Sequence, residues 1–407
     1  MGESYQGMSL SNKHIFILGT VRFDGGEQST SMNIARELSK KNFVYYIDYP
    51  ITLKDYILSW KDKIIKTRRR YLLPFSDGLI ASGYHNLKIV ICPIMLSISF
   101  LPEGPVYRIL LRFNEMLIRK RIKKVLKKED IKEFIYINSF NFHYPQIADN
   151  LSTSLTVYQC VDPMITPYDI KHGIISENEL VRKSDLVICT SRKLYNEKRL
   201  QNNNTHFIPN AASLNHNKEA ISNNVHVDMF SGLNKPIVGY VGSIERRIDF
   251  ELLKDVVDQN RDKTFVFVGS VTKTFVPDWF FNTENVIITG RLPFTEMPGI
   301  IQEFDIAIIP FKMDEVSATI FPLKLFEYMG AGKPVIATNF NHDLTEFTEG
   351  MVSFCDNATS FTQELNSILR HDSPVNKRKR IQIAEKNTWE KRGEQISDLL
   401  SLNLKMA

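Results

Sequence analysis

Short runs of β-branched and aromatic residues alternate with amphipathic, charge-bearing segments along most of the chain. In the first half the apolar runs at 14–19, 43–48, 88–92, 134–138, 155–160, 185–190 and 206–209 have the length and composition of strands. Between them, residues 29–40 place Met32, Ala35 and Leu38 on one side of a helix. Strands separated by amphipathic helices predict an α/β architecture, a parallel sheet covered by helices on its faces.

The texture changes at residues 210–235, which are rich in Asn, Ser and His and carry little apolar periodicity. The alternation then resumes at 236–241, 264–269, 285–288, 305–310 and 334–338. With 407 residues the chain exceeds the size at which one core stops growing, so two domains are expected. The predicted boundaries are 1–212 for the first domain, 213–235 for a linker and 236–385 for the second domain. From Asn376 the chain is basic and helical, with Trp389, Ile396, Leu399 and Leu400 at helical spacing.

Composition adds mainly exclusions. The four cysteines, Cys92, Cys160, Cys189 and Cys355, stand singly in apolar runs and have no ligand-like spacing, so neither a disulfide framework nor a metal site is expected. Residues 1–13 are polar and lack the basic-then-apolar order of an export signal. The most apolar stretch, 89–101, is interrupted by Pro93, Ser97 and Ser99 and falls short of the about 20 residues a bilayer span needs. A cytoplasmic protein is the expectation.

The chemistry concentrates in residues 321–338, FPLKLFEYMGAGKPVIAT. Pro322 suits the first turn of a helix, Gly330 and Gly332 close that helix after about two turns, and a strand follows. Lys324 then falls in the first turn, where the macrodipole is positive and a cation is disfavoured by a few tenths of a kcal/mol unless an anion shares the site. Free amides at a helix N-terminus together with a lysine make a phosphate site. Glu327, three residues on, projects from nearly the same face. A cation for a diphosphate beside a carboxylate for ribose hydroxyls is what a nucleoside diphosphate needs.

Around this segment the sequence resembles the GT-B glycosyltransferases. Within them it is most similar to family 4, the group 1 enzymes, and to the branch that makes teichuronic acid and related surface polysaccharides. The resemblance rests on Pro-x-Lys-x-x-Glu-Tyr followed by GKPVI, and on SDLVICTS at 184–191, HFIPNA at 206–211, PIVGYVGSIERR at 236–247, TGRLPFTEMPGIIQEFDIAIIPF at 289–311 and NTWEKRGEQI at 387–396. It implies two Rossmann-like domains facing a central cleft, with the acceptor in the first domain and the nucleotide-sugar donor in the second. The final helix, 386–407, would pack back on the first domain. By the same resemblance Glu327 binds ribose, Lys324 and either Arg246 or Arg247 bind diphosphate, and Gly242 and Ser243 allow close backbone approach. Gly290, Arg291 and Leu292 lie near the base, with Pro322 and Leu323 beside the phosphates. Such enzymes use Lys and Arg where others use a divalent ion, so no metal and no cofactor beyond the sugar nucleotide is expected.

Two positions depart from the pattern. Thr319 stands eight residues before Glu327, where the family has an acid that contacts the donor sugar; Asp314 and Glu315 are near but out of register. The turn usually written Pro-Asn-Gly is Pro209–Asn210–Ala211. The loop after the first strand holds Asp24, Gly25 and Gly26, whose spacing from Gly19 fails the dinucleotide fingerprint; a loop closing on the donor phosphates fits better.

Ligands of open α/β sheets bind beyond the carboxyl ends of strands. Asp162 and then His143 are the candidate catalytic residues on that ground, with Asp48 a further strand-end acid. Residues 107–133 hold ten basic side chains against four acidic ones, alongside Leu110, Leu111, Leu117, Ile118, Ile122, Val125 and Leu126. That stretch and 61–70 suit an anionic inner-membrane surface. No nucleic-acid-binding motif accompanies the charge, so nucleic acid is not an expected partner.

The expected activity is transfer of a hexose-type unit from a nucleoside diphosphate sugar to a carbohydrate or lipid-linked acceptor in cell-surface polysaccharide synthesis, peripheral to the membrane. The alternatives are a sugar-nucleotide epimerase of the same fold and an inactive sugar-nucleotide-binding partner protein.

Overall fold

The computed structural model describes residues 10–23, 29–214, 230 and 232–406. The chain divides into two units, one of residues up to Pro209 together with those from Arg392 onward, the other of Asn210–Lys391.

In the first unit the apolar runs form β1 (His14–Leu18), β2 (Phe43–Ile47), β3 (Leu79–Ala81), β4 (Leu87–Val90), β5 (Phe134–Ser139), β6 (Thr153–Cys160), β7 (Leu186–Cys189) and β8 (Thr205–Phe207). They make one sheet in the order β3-β4-β2-β1-β5-β6-β7-β8. All pairings are parallel except β3 with β4. The edge strand β3 was not expected, because three half-exposed residues carry no periodicity. Ser29 caps the helix Thr30–Ser39, its hydroxyl accepting from the Met32 amide at 3.3 Å.

The helix Pro105–Lys128 corrects the reading of the basic stretch. Tyr107, Leu111, Ile118, Ile122 and Val125 are buried in the core against β1, β2 and β4 residues, and Leu110, Leu117 and Leu126 pack on it. The apolar residues the sequence offered to a membrane are therefore used by the fold, while Val106, Ile109 and Phe113 of the same helix stay exposed. Several of its cations are spent there too: Arg121 donates to the Leu73 and Ser76 carbonyls at 2.9 and 2.8 Å, and Arg119 to the Gln146 carbonyl at 2.7 Å.

The second unit holds β9 (Ile237–Val241), β10 (Thr264–Val268), β11 (Val286–Gly290), β12 (Ile306–Ile309), β13 (Val335–Thr338) and β14 (Val352–Cys355). The order is β11-β10-β9-β12-β13-β14, parallel throughout. Numbered within the unit this is 3-2-1-4-5-6, the doubly wound arrangement, whose order reverses between β9 and β12. The last strand, four residues long and starting two after Gly350, was not anticipated.

The helical region expected from Asn376 is divided into two helices, Pro374–Lys386 and Trp389–Met406, the second starting three residues after the expected 386. Residue 212 enters the break: the Ala212 amide donates to the Asn387 carbonyl at 3.1 Å and its carbonyl accepts from Trp389 at 3.2 Å. Beyond it, Ser397 accepts from the Leu10 amide at 2.9 Å and Arg392 donates to the Pro209 carbonyl at 3.1 Å, which fastens the end of the chain to the first unit. Most of the expected 213–235 linker lies outside the described residues.

Candidate functional site

The point where the second sheet reverses order is where an open α/β sheet places a ligand, and the lysine helix meets it there. The helix spans Leu323–Gly330, and Pro322 is its N-cap with φ −75°, one position earlier than the sequence suggested. A proline cannot cap through its side chain, and none does so here; Leu325 donates to the Pro322 carbonyl at 3.3 Å, so the amides a ligand would meet are those of Leu323 and Lys324.

Lys324 lies half-buried with Nζ 3.8 Å from the centre of the Tyr240 ring and 5.2 Å from that of Phe311. Tyr240 comes from the end of β9 and Phe311 from just past β12, so the ammonium sits over both strands that flank the reversal. Aromatic faces attract a cation without neutralising it. Burial holds the Lys324 pKa well below its ordinary value; the charge of Arg247 pushes the same way, while Glu327 and Glu245 oppose. Burial also raises the pKa of Glu327, against the pull of Lys324. An anion arriving beside Lys324 would relieve both the desolvation and the repulsion from Arg247.

Gly242 makes room for this lysine. Its φ is +142°, and a Cβ there would stand 2.3 Å from Lys324 Nζ and 3.1 Å from the Tyr240 hydroxyl. The neighbouring strand ends likewise: at Gly269, φ +151°, a Cβ would meet the Gly242 carbonyl oxygen at 2.0 Å. The two backbones approach this closely because Gly269 lacks a side chain. Tyr328, from the lysine helix, closes the back of the site by accepting from the Val241 amide at 2.7 Å.

Ser243 is exposed; its carbonyl accepts from the Tyr240 hydroxyl at 3.0 Å and its hydroxyl lies 3.4 Å from that of Ser270. Of the two arginines, Arg247 is the one coupled to Lys324: its guanidinium lies 5.9 Å from the same Phe311 ring and bonds Glu245. Arg246 reaches Glu245 only at 3.9 Å. Gly290 ends β11 and pairs with Val268 after a register shift, Arg291 is exposed beyond it, and Leu292 packs partly on the core. Pro322 is buried and Leu323 half-buried at the head of the helix. Thr319 is buried and its hydroxyl donates to the Val316 carbonyl at 2.6 Å, a local turn contact. The structure thus gathers Gly242, Lys324, Glu327 and Arg247, and turns Thr319 to the backbone. Tyr240, Phe311 and Glu245 were missed; the first two look like ordinary core aromatics, and only their position at strand ends sets them apart.

The proton on Lys324 gives a pH signature. Only the ammonium attracts a diphosphate, and its pKa in the free protein is lowered. Affinity for a nucleoside diphosphate should therefore hold at low pH and fall as pH rises through that depressed value, with a proton taken up on binding in that range. Calorimetry in buffers of different ionisation enthalpy measures the uptake; binding without it would contradict the role of Lys324.

In the first unit, the proposed glycine loop, Asp24, Gly25 and Gly26, lies outside the described residues. Asp48 is buried in an ion pair with Arg68 and accepts from the Phe23 amide at 2.8 Å, which makes it a structural acid. Asp162 is exposed two residues past β6. His143 follows β5 and lines a cavity of about 350 Å³ together with Tyr49, Asp55, Tyr107 and Asn114. Its Nε2 is 3.5 Å from Asp169, and burial lowers its pKa, an effect His172 adds to and Asp169 opposes. The imidazole is therefore neutral near pH 7 and able to accept a proton. Among the described residues no cluster of three or more His, Cys, Asp or Glu side chains is placed to hold a metal ion.

Residues 235–371 match the family model Glycosyl transferases group 1. A putative teichuronic acid biosynthesis glycosyltransferase of Bacillus subtilis, TuaH, is 28% identical over 215 residues, covering 48% of this chain and 53% of the relative. The chain thus spans about half the length of the curated relative it matches. Among solved structures, sucrose-phosphate synthase from Thermosynechococcus elongatus superposes with a TM-score of 0.65 at 14% identity, covering 97% of this chain and 100% of that one. Anabaena HepE in complex with UDP gives 0.64 at 14% identity over 96% and 100% of the two chains. An α,α-trehalose-phosphate synthase (UDP-forming) from Burkholderia vietnamiensis gives 0.67 at 8% identity over 98% and 99%. These likenesses establish the fold as GT-B.

Proposed function

We propose that the protein transfers a hexose unit from a uridine diphosphate sugar to a carbohydrate or lipid-linked acceptor during cell-surface polysaccharide synthesis. The observation that carries this reading is the Lys324 ammonium, seated over Tyr240 and Phe311 at the sheet reversal and given its space by Gly242. The match of this same unit to group 1 glycosyltransferases supports it, as do neighbours solved with UDP and with UDP-glucose. None of these relatives supports the epimerase alternative.

In this reading Lys324, Arg247 and the first amides of the lysine helix hold the diphosphate and stabilise its charge as the bond to the sugar breaks, while Glu327 accepts from the ribose hydroxyls. Charge from these side chains does the work a divalent ion does elsewhere, so turnover should persist in excess chelator, and no further cofactor is needed. His143, neutral and on a cavity wall, is the proposed proton acceptor for the incoming hydroxyl, with Asp162 the second candidate. A peripheral position at the inner face of the membrane fits a lipid-linked acceptor.

Thermal shift against UDP-, GDP-, ADP-, CMP- and dTDP-sugars tests the donor. A ligand at about 100 times its dissociation constant adds about 2.7 kcal/mol to stability. UDP-sugars should raise the melting temperature and the others should not; response to another base alone would overturn the uridine assignment, and no response at all would overturn the donor site at Lys324, while binding without turnover would favour the inactive-partner reading. Between the arginines, Arg247→Ala should weaken UDP-sugar binding by about tenfold, the loss of one charge-assisted contact, and Arg246→Ala by much less. Titration of both variants by calorimetry checks the order.

A further inference from the structure

We infer that the surface formed by residues 53–75 docks the first unit on an anionic phospholipid bilayer. The helix Leu53–Leu58 has no buried residue, although half of it is apolar. Leu53, Ile57 and Leu58 are exposed, Leu58 at 72%, and Trp60 directly after the helix is 52% exposed. Residue 75 is a phenylalanine left 86% exposed, next to the exposed Leu73. Scattered apolar residues on a soluble surface are ordinary; six large ones within 23 positions of one segment are not.

The presentation is built rather than loose. The loop carrying Leu73 and Phe75 is pinned from beneath by the helix Pro105–Lys128: Arg121 takes the carbonyls of Leu73 and Ser76, and Lys124 that of Pro74 at 2.5 Å. The basic stretch that the sequence assigned to a membrane thus acts as the platform for the loop. The helix Leu53–Leu58 is anchored by its own backbone, Leu53 donating to the Met95 carbonyl at 2.8 Å and Lys54 to the Ser97 hydroxyl at 2.9 Å. Arg69 holds the Trp60 carbonyl at 2.6 Å and lies 5.9 Å from its ring. The apolar side chains are left outward because the polar groups behind them are satisfied.

Charge selects the occupant. Within 53–75 the exposed cations are Lys54, Lys61, Lys63, Lys66, Arg69 and Arg70, and the acids are only Asp55 and Asp62. Asp55 forms a capping box with Thr52, and Asp62 caps the next helix by accepting from the Ile64 amide at 2.7 Å. Lys124 adds an exposed cation at the foot of the Phe75 loop, where Lys128 is paired with Asp77. Tryptophan, phenylalanine and leucine interleaved with unopposed lysine and arginine match the acyl boundary and the anionic headgroups of one leaflet together. Among the described residues no helix is long and apolar enough to cross a membrane. The surface shares no residue with the donor site and would stand if the transferase reading failed.

Sedimentation of the full chain with vesicles tests this. Phosphatidylglycerol-containing vesicles should bind the protein and phosphatidylcholine vesicles should not. Combined Leu58→Ser, Trp60→Ser and Phe75→Ser, and separately Lys63→Glu with Lys66→Glu, should each weaken partition by about tenfold or more. All five side chains are exposed, so melting temperature and UDP-sugar binding should match the wild type in both variants and report folding. Absence of binding to anionic vesicles, or binding unchanged in the variants, overturns the inference. So does light scattering that shows a dimer of the wild type dissolved by the triple substitution, which would assign the surface to a second copy of the chain.

Discussion

Replacing Lys324 with methionine should lower turnover by about 10²–10³-fold, the cost of removing one preorganised group from a developing anion. The loss should not come from unfolding. The lysine pays for desolvation and for the nearby Arg247 in the unliganded protein, as its lowered pKa records. The unfolded chain holds this proton without that burden. At neutral pH the substitution should thus leave the melting temperature unchanged or raise it, while the methionine stem keeps the contacts on Tyr240 and Phe311. Activity lost with stability kept is the pattern of a functional group held at the expense of the fold. The measurement is initial rate with saturating UDP-sugar beside a melting curve, and turnover close to the wild type would remove Lys324 from the mechanism. Glu327→Gln gives the complementary result: weaker donor binding with a smaller effect on turnover at saturation, because ribose contacts are made equally in ground and transition states.

How far the sequence reached depends on how local the cause was. The parallel architecture was legible because buried parallel strands are continuous apolar runs, such as FVYYI at Phe43–Ile47 and TFVFV at Thr264–Val268. Two edge strands were not: Leu79–Ala81 and Val352–Cys355 are short runs that owe their conformation to a neighbouring strand. Lys324 was legible for a local reason, a cation at the wrong end of a helix. Its aromatic surroundings were not, because Tyr240 and Phe311 reach it through the sheet order. The choice between Arg246 and Arg247 turns on which side chain lies over Phe311, a contact made by pairing of Ile248 with Phe311. The basic stretch 107–133 misled for a related reason. Charge and amphipathicity describe a helix face equally well whether its apolar side meets lipid or the protein's own core. Here Ile118, Ile122 and Val125 meet the core.

Gly242→Ala separates the position of Lys324 from its charge. Two costs arise from one methyl group. With φ at +142° the backbone is strained for any L-residue, at about 1–3 kcal/mol. The new Cβ would also stand 2.3 Å from Lys324 Nζ, and the lysine tip, being flexible, would yield rather than the strand. The ammonium would leave its seat over Tyr240, so donor affinity should fall by about tenfold or more, since each about 1.4 kcal/mol of lost interaction is tenfold. Gly350→Ala is the matched control: φ is +72°, a Cβ there meets nothing within 4 Å, and the residue precedes β14. It should lower the melting temperature through strain alone and bind UDP-sugar as the wild type does. If Gly242→Ala also binds normally and loses only stability, then Gly242 serves the turn after β9 and the placement of the lysine has another cause. If it loses binding while Gly350→Ala does not, the missing side chain at 242 is what aims the cation at the phosphate.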